Sequence, residues 1–332
     1  MLTSQSKVLL TGGTGFTGGH LLKALYSMGC EIRAICRPTS NREAFLNLDI
    51  QWYEGDVYDA DVVNEAAKDV THIFHLAAAY RQSGIENEEY WNTHVRSTKL
   101  LATCALQSNI FEKFIHVSTV GVLGHIEKPP ADETALLNPG DIYQNTKTEA
   151  EQWILAFMKK HNLPLTVVRP AAIYGPGDRR LLKLFKLAKL PYIPLIGFTK
   201  GLYHLIHVQD LVRFMIHTAG ENQTNGQVYI CGSPEATSIQ QMIKVIALHL
   251  NRKPRFLRIP AWPVFIAADL CESICRIVKM EPPIYRRRVA FFTKDRSFNT
   301  QKMRTQGKFE PNIPDEQGLQ DLADWYREKG WL

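Results

Sequence analysis

The chain has 332 residues, 45% hydrophobic and 22% charged, a balance that excludes disordered and fibrous classes. That length accommodates about two domains or one large one. Lys and Arg number 39 against 33 Asp and Glu, a net +6 scattered along the chain apart from short clusters such as Arg286, Arg287 and Arg288; nucleic-acid proteins concentrate their basic residues, so a small anionic ligand is the better match and no nucleic acid is expected.

Taken in order, Lys7–Leu10 predicts a first strand, then a glycine-rich turn and an amphipathic helix from Gly18 to Met28. Glu31–Cys36 predicts a second strand, and His72–Leu76, Lys113–Val117 and Leu165–Val168 predict three more. A short strand precedes Asp56, and helices are expected near 87–108 and 143–161. This alternation predicts an α/β fold, a Rossmann-type doubly wound parallel sheet, because parallel strands need long crossovers. Such sheets bind ligands at the carboxyl ends of their strands. After Arg169-Pro170 the chain becomes rich in Pro and Gly, with short apolar segments, which predicts a smaller C-terminal lobe. The expected division is 1–170 for cofactor, with a return near 203–230, and 171–332 mainly for substrate.

The six cysteines form no CxxC pair, and Cys271 and Cys275 are spaced for one helix face rather than for zinc. No metal is expected. The N-terminus lacks the apolar core of a signal peptide, and no run of 18 uncharged apolar residues appears. A reducing, cytoplasmic setting is the expectation.

Thr11-Gly12-Gly13-Thr14-Gly15-Phe16-Thr17-Gly18 follows the first strand and opens a helix. Glycine permits the tight turn, lets backbone approach a pyrophosphate, and lets helix pack close to strand. The helix N-terminus then offers free N–H groups to phosphate. At the end of the second strand a carboxylate would bond the adenosine ribose. Cys36 stands there instead, followed by Arg37, Pro38, Thr39 and Ser40. A guanidinium and two hydroxyls suit a 2′-phosphate, so NADP is expected, with NAD as the alternative. A merely solvated Arg37 is the competing reading. Asp56 is read either as an acceptor for the adenine amine or as a turn residue.

Tyr143 and Lys147 share a helix face at i and i+4, and of twelve tyrosines only Tyr143 has Lys at that offset. A free phenol titrates near 10, and a nearby ammonium favours phenolate. The pair therefore suits an acid/base role. Thr119 stands 24 residues earlier, beside Ser118, at the end of a strand, where a hydroxyl can hold a substrate oxygen. Val120–Gly124 is expected to be a flexible turn.

With these motifs the chain resembles the extended short-chain dehydrogenase/reductases, the NAD-dependent epimerase/dehydratase superfamily, with dihydroflavonol-reductase-like and nucleotide-sugar-epimerase-like members. The resemblance spans nearly the whole length, through Gly55-Asp56-Val57-x-Asp59, His75-Leu76-Ala77-Ala78, Arg169-Pro170-Ala171-Ala172-Ile173-Tyr174-Gly175-Pro176-Gly177-Asp178 and His207-Val208-Gln209-Asp210-Leu211. It implies Tyr143 as catalytic acid/base, Lys147 as its tuner and a ribose ligand, and Thr119 as the hydroxyl partner. Gly12, Thr14, Gly15, Phe16, Gly18, Arg37, Asp56, Val57, Ala77, Ala78, Pro170 and Ile173 are implied along the cofactor. His94 stands where the family carries Asn and Ser97 where it carries Gly, which leaves that Asn's role without a match.

For the substrate, Ser118, Tyr80, His94, Arg179, Arg180 and Tyr192 are candidates. Arg179 and Arg180 suit an anionic diphosphate or a solvated helix start. Leu190–Phe198 suits a hydrophobic pocket or ordinary lobe core. Trp262–Val278 predicts a packed helix, with peripheral membrane contact near 256–280 as the lesser alternative. The leading expectation is an NADP-dependent oxidoreductase acting on a carbinol or carbonyl. A nucleotide-sugar epimerase or dehydratase that recycles its cofactor is the alternative. From another class comes a non-catalytic NADP(H)-sensing protein. The resemblance also implies a homodimer through the helices at 87–108 and 143–161.

Overall fold

In a computed structural model describing residues 2–80, 86–197, 201–277, 280 and 295–332, the alternation expected from the sequence is realised. The first half runs β1 (Lys7–Thr11), α1 (Phe16–Ser27), β2 (Glu31–Cys36), β3 (Gln51–Glu54), α2 (Ala60–Ala66) and β4 (His72–His75). It continues through α3 (Asn87–Trp91), α4 (Ser97–Gln107), β5 (Lys113–Val117), α5 (Ile142–His161) and β6 (Leu165–Pro170). The second half adds β7 (Ala172–Tyr174), α6 (Leu182–Ala188), β8 (Ile193–Ile196), β9 (Leu202–Tyr203), β10 (Leu205–His207), α7 (Val208–Ala219) and β11 (Gln227–Cys231). Then follow β12 (Thr237–Ser238), α8 (Ile239–His249), β13 (Phe256–Ile259), α9 (Ala261–Ile277), α10 (Gln301–Thr305) and α11 (Asp315–Glu328).

Seven strands form one parallel sheet in the order β3-β2-β1-β4-β5-β6-β11. The order reverses between β1 and β4, and that crevice is where such sheets bind ligands. The central strands are buried along both faces: all five residues of β5 and all six of β6 are buried. That burial explains their near-continuous Val, Ile, Leu and Phe. Helices α1 and α7 pack near each other, and α2, α4 and α5 form another group. A separate apolar cluster joins Phe185 of α6, Met242 and Ile246 of α8, and Leu322 and Tyr326 of α11.

The helix expected over 87–108 is interrupted by a π-helical turn at Asn92–Arg96. Val120–Leu123 is a 3-10 turn rather than a loose one, capped by Thr119, whose Oγ1 accepts from the Gly121 N–H at 3.0 Å. β6 runs two residues past Val168, because Arg169 and Pro170 pair with Ile230 and Cys231. Ile193 and Leu195 belong to the second cluster, and residues 190–197 stay out of the cleft described below. Of the stretch Leu190–Phe198 considered for a hydrophobic pocket, Ile193 and Leu195 are thus lobe core, Leu190, Pro191 and Tyr192 are exposed, and Phe198 lies outside the described residues. So does the cluster Arg286, Arg287 and Arg288. Among the described residues, no helix is long and apolar enough to cross a membrane.

Candidate active site

A cleft of about 1470 Å³ runs across the carboxyl ends of the strands. Its floor begins at the loop between β1 and α1. Gly12 has φ +74°, and a Cβ there would stand 2.9 Å from the Ala77 nitrogen. At Gly18 a Cβ would fall 2.0 Å from the Gly12 carbonyl oxygen, so only glycine lets α1 sit this close to the loop. The N-terminus of α1 has neither a side-chain cap nor a carboxylate in its first turn. Its N–H groups are left for an anion, as a pyrophosphate cradle requires.

Every expected cofactor residue lines this cleft: Gly12, Thr14, Gly15, Phe16, Gly18, Arg37, Asp56, Val57, Ala77, Ala78, Tyr143, Lys147, Pro170 and Ile173. At the adenosine end, Cys36 is buried and Arg37 is exposed, with Ser40 beside them in the lining. Nearby Arg42 pairs with Glu54 at 2.6 Å, whereas Arg37 makes no ion pair with a described residue. The Asp56 carbonyl accepts from the Asp59 N–H at 3.0 Å, so Asp56 is a turn residue and a cleft residue at once.

The reacting end is set by α5. Asp141 caps it by accepting from the Gln144 N–H at 2.8 Å, which fixes the helix start at Ile142, one residue before Tyr143. Tyr143 and Lys147 both reach the cleft, as does Thr119. The Lys147 ammonium is buried and donates to the Val117 carbonyl at 2.9 Å. Burial pushes it down to about 8, while the negative charge of Glu151 pulls the other way. Thr119 accepts with its oxygen inside the 3-10 turn, which leaves its hydroxyl proton to donate.

Behind Lys147 lies a group absent from the sequence-based candidates. Glu151, one further turn along α5 and fully buried, accepts from Arg169 Nε at 3.1 and 3.2 Å. Ser118 Oγ donates to the same carboxylate at 2.5 Å. Ser118 therefore lines the cleft with its proton committed to Glu151 and its oxygen left able to accept. The signal for Glu151 was available in its i+4 offset from Lys147.

His94 is corrected. It is 1% exposed and lies outside the cleft, edge-on to Tyr143 with ring centroids 5.4 Å apart. The Ala79 N–H donates to His94 Nε2 at 3.1 Å, so Nδ1 carries the proton and donates to Thr146 Oγ1 at 2.7 Å. Burial lowers its pKa to about 2, and the neutral ring serves as a packing wall for the phenol. Tyr192 is the second correction. It is 52% exposed, faces Arg255 at 5.9 Å, and does not line the cleft.

Tyr80, Arg179 and Arg180 do line it. Tyr80 stands edge-on to Tyr143 at 5.4 Å. Arg180 is largely committed: its Nε donates to Asp178 at 2.8 Å, an Nη donates to the Ile173 carbonyl, and the guanidinium lies 5.8 Å from the Phe16 ring. Arg179 stacks 4.7 Å over Trp331. Phe265, Asp295 and Arg296 complete the outer wall from distant parts of the chain, which no local pattern announces.

The sequence profile of the NAD dependent epimerase/dehydratase family matches residues 8–232. The chain belongs to that family. The putative dihydroflavonol 4-reductase of Synechocystis sp. is 24% identical over 97% of this chain and 95% of its own. The UDP-glucose 4-epimerase of Vibrio cholerae is 26% identical over 77% of this chain and 79% of its own. Among solved structures, gox2253 superposes with a TM-score of 0.81 at 26% identity, covering 99% of this chain and 100% of that one. The glycine cradle, with no room for a Cβ at Gly12 or Gly18, fits the dinucleotide that the family name implies.

Proposed function

We propose that this family member is an NADP-dependent oxidoreductase that interconverts a carbonyl and a carbinol. The observation that carries the reading is Tyr143 and Lys147 on one face of α5, facing the glycine loop across a single cleft. When bound, the dinucleotide supplies or accepts the hydride. In the reducing direction the Tyr143 phenol gives its proton to the substrate oxygen as negative charge develops there. Thr119 donates a hydrogen bond to the same oxygen. Lys147, held by the Val117 carbonyl, keeps a positive charge beside the phenol and favours its ionised form once the proton has left.

NADP rather than NAD is supported by the end of β2, where Arg37 lines the cleft and no carboxylate follows Cys36 in Arg37-Pro38-Thr39-Ser40. The likeness to a dihydroflavonol reductase agrees with this direction of chemistry. The likeness to a UDP-glucose epimerase supports a second reading, internal cofactor recycling on a nucleotide sugar, with Arg179 at the cleft wall as its cation. Net consumption of NADPH separates the two. A sensing role without chemistry needs the glycine loop but neither Tyr143 nor Lys147. The homodimer expected through α3, α4 and α5 stands as part of this reading.

The test is Tyr143→Phe. The variant is expected to bind NADPH as the parent does and to lose turnover by a hundredfold to ten-thousandfold, on the order that acid–base groups contribute. Turnover near the parent's level, on any carbonyl substrate the parent reduces, overturns the assignment.

A further inference from the structure

Helix α9 has two apolar faces. One points inward: Ala268 is fully buried, and Phe265 lines the cleft. The other points outward: Trp262, Ile266, Leu270 and Ile274 are 68%, 53%, 59% and 60% exposed. Four-residue spacing aligns them into one stripe along the helix. Single exposed apolar side chains are ordinary on a soluble surface, whereas a continuous stripe of four large ones marks a contact. Leu257 and Ile259, in the strand leading into α9, are 54% and 38% exposed. At 3.6 residues per turn, the exposed Asp269 falls at the edge of the stripe beside Trp262, and Glu272 falls between Phe265 and Ala268 on the inward side.

Charge says what covers the stripe. Residues 250–260 hold Arg252, Lys253, Arg255 and Arg258, all exposed, and no acid. β13 pairs with β8 in the register Phe256↔Ile193. The segment 181–197 leading through β8 also has no acid, and it exposes Lys183, Lys186 and Lys189. Apolar side chains among cations match a surface that is anionic outside and hydrocarbon beneath. A second copy seated on this face would instead bring the same cations against them.

We propose that α9 lies in the plane of an anionic lipid bilayer, with its outward stripe in the upper acyl layer and the flanking Lys and Arg on headgroup phosphates. Because Phe265 of the same helix lines the cleft, docking sets the cleft beside the bilayer, a placement suited to an amphiphilic carbonyl substrate. That last clause rests on the reductase reading; the docking does not.

The full chain is spun with vesicles of phosphatidylcholine and phosphatidylglycerol in equal parts, or of phosphatidylcholine alone. It is expected to sediment with the mixed vesicles, far less with the neutral ones, and less again at high salt. Trp262→Ser with Ile266→Ser is expected to lower binding at least about tenfold, with circular dichroism and melting unchanged because only exposed side chains are removed. Arg255→Glu with Arg258→Glu is the second variant and is expected to weaken binding to the mixed vesicles alone. Parent protein left in the supernatant overturns the proposal. So does undiminished binding by the Trp262→Ser and Ile266→Ser variant, or a concentration-dependent dimer that Ile266→Ser abolishes. Sedimentation reads no turnover, so a failure here and a failure of the hydride chemistry are separate results.

Discussion

Arg169 donates to both carboxylate oxygens of Glu151 from a position where neither side chain is more than 5% exposed. The pair stands one turn behind Lys147 and also receives the Ser118 hydroxyl. Removing one partner of such a pair leaves a buried charge uncompensated. Glu151→Gln should therefore cost about 3–5 kcal/mol, read by denaturant unfolding. It also removes the negative charge that holds the Lys147 pKa up against burial. The alkaline limb of the kcat profile should move to lower pH; a limb that stays in place shows that Glu151 only packs.

Arg37→Ala tests the cofactor preference alone. Charge-assisted hydrogen bonds are worth about 1.5–3 kcal/mol, so NADPH affinity should fall about tenfold or more while NADH affinity holds. Fluorescence titration with both dinucleotides measures the ratio. An unchanged ratio means the guanidinium is not reading the phosphate.

Gly18→Ala should be among the most damaging single-methyl changes in the chain. The added carbon meets the backbone oxygen of Gly12 at 2.0 Å, and backbone cannot swing aside as a side chain can. A cost of about 3 kcal/mol is expected, together with loss of measurable dinucleotide binding. A variant that melts with the parent and titrates with NADPH would contradict the cradle geometry.

Acid should destabilise the protein early. His72, His75, His94, His116, His204 and His207 are all held below the ordinary histidine value, in each case chiefly by burial. In the unfolded chain they titrate near 6.5. Between that value and their lower folded values the unfolded state binds more protons, so stability is full above about pH 6.5 and falls as pH drops. Each such proton contributes a slope of about 1.4 kcal/mol per pH unit. His94→Asn should reduce the slope by one proton, measured by urea unfolding from pH 7 to 5.

Much of the scaffold was legible because its signals are local. Glu31–Cys36 and Lys113–Val117 are found at their predicted bounds, since each is a short β-rich run between turn residues. Tyr143 and Lys147 lie one turn apart on one helix, so spacing alone placed them on α5, whereas the Asp141 cap was not read. What escaped depends on distant contacts. The π turn at 92–96 accompanies a ring that bonds Ala79 and Thr146, and no 3.6-residue pattern reveals it. The bond from Ser118 to Glu151 likewise joins residues 33 apart in the chain. Tyr192 looked like a pocket aromatic, but it stands just before β8, exposed beside Arg255.

The position of β11 has a consequence for synthesis. Its partner β6 ends at Pro170, yet β11 begins only at Gln227, after 56 intervening residues (171–226). At a ribosomal rate of about 5–20 residues per second, the nascent sheet waits several seconds with the outer edge of Leu165–Pro170 unpaired. An open edge is a template for the wrong strand. The groups left waiting are those of the odd-numbered residues: the Leu165 carbonyl accepts from the Gly226 N–H at 2.7 Å, and the Ala171 N–H donates to the Cys231 carbonyl at 2.8 Å, only once β11 is made.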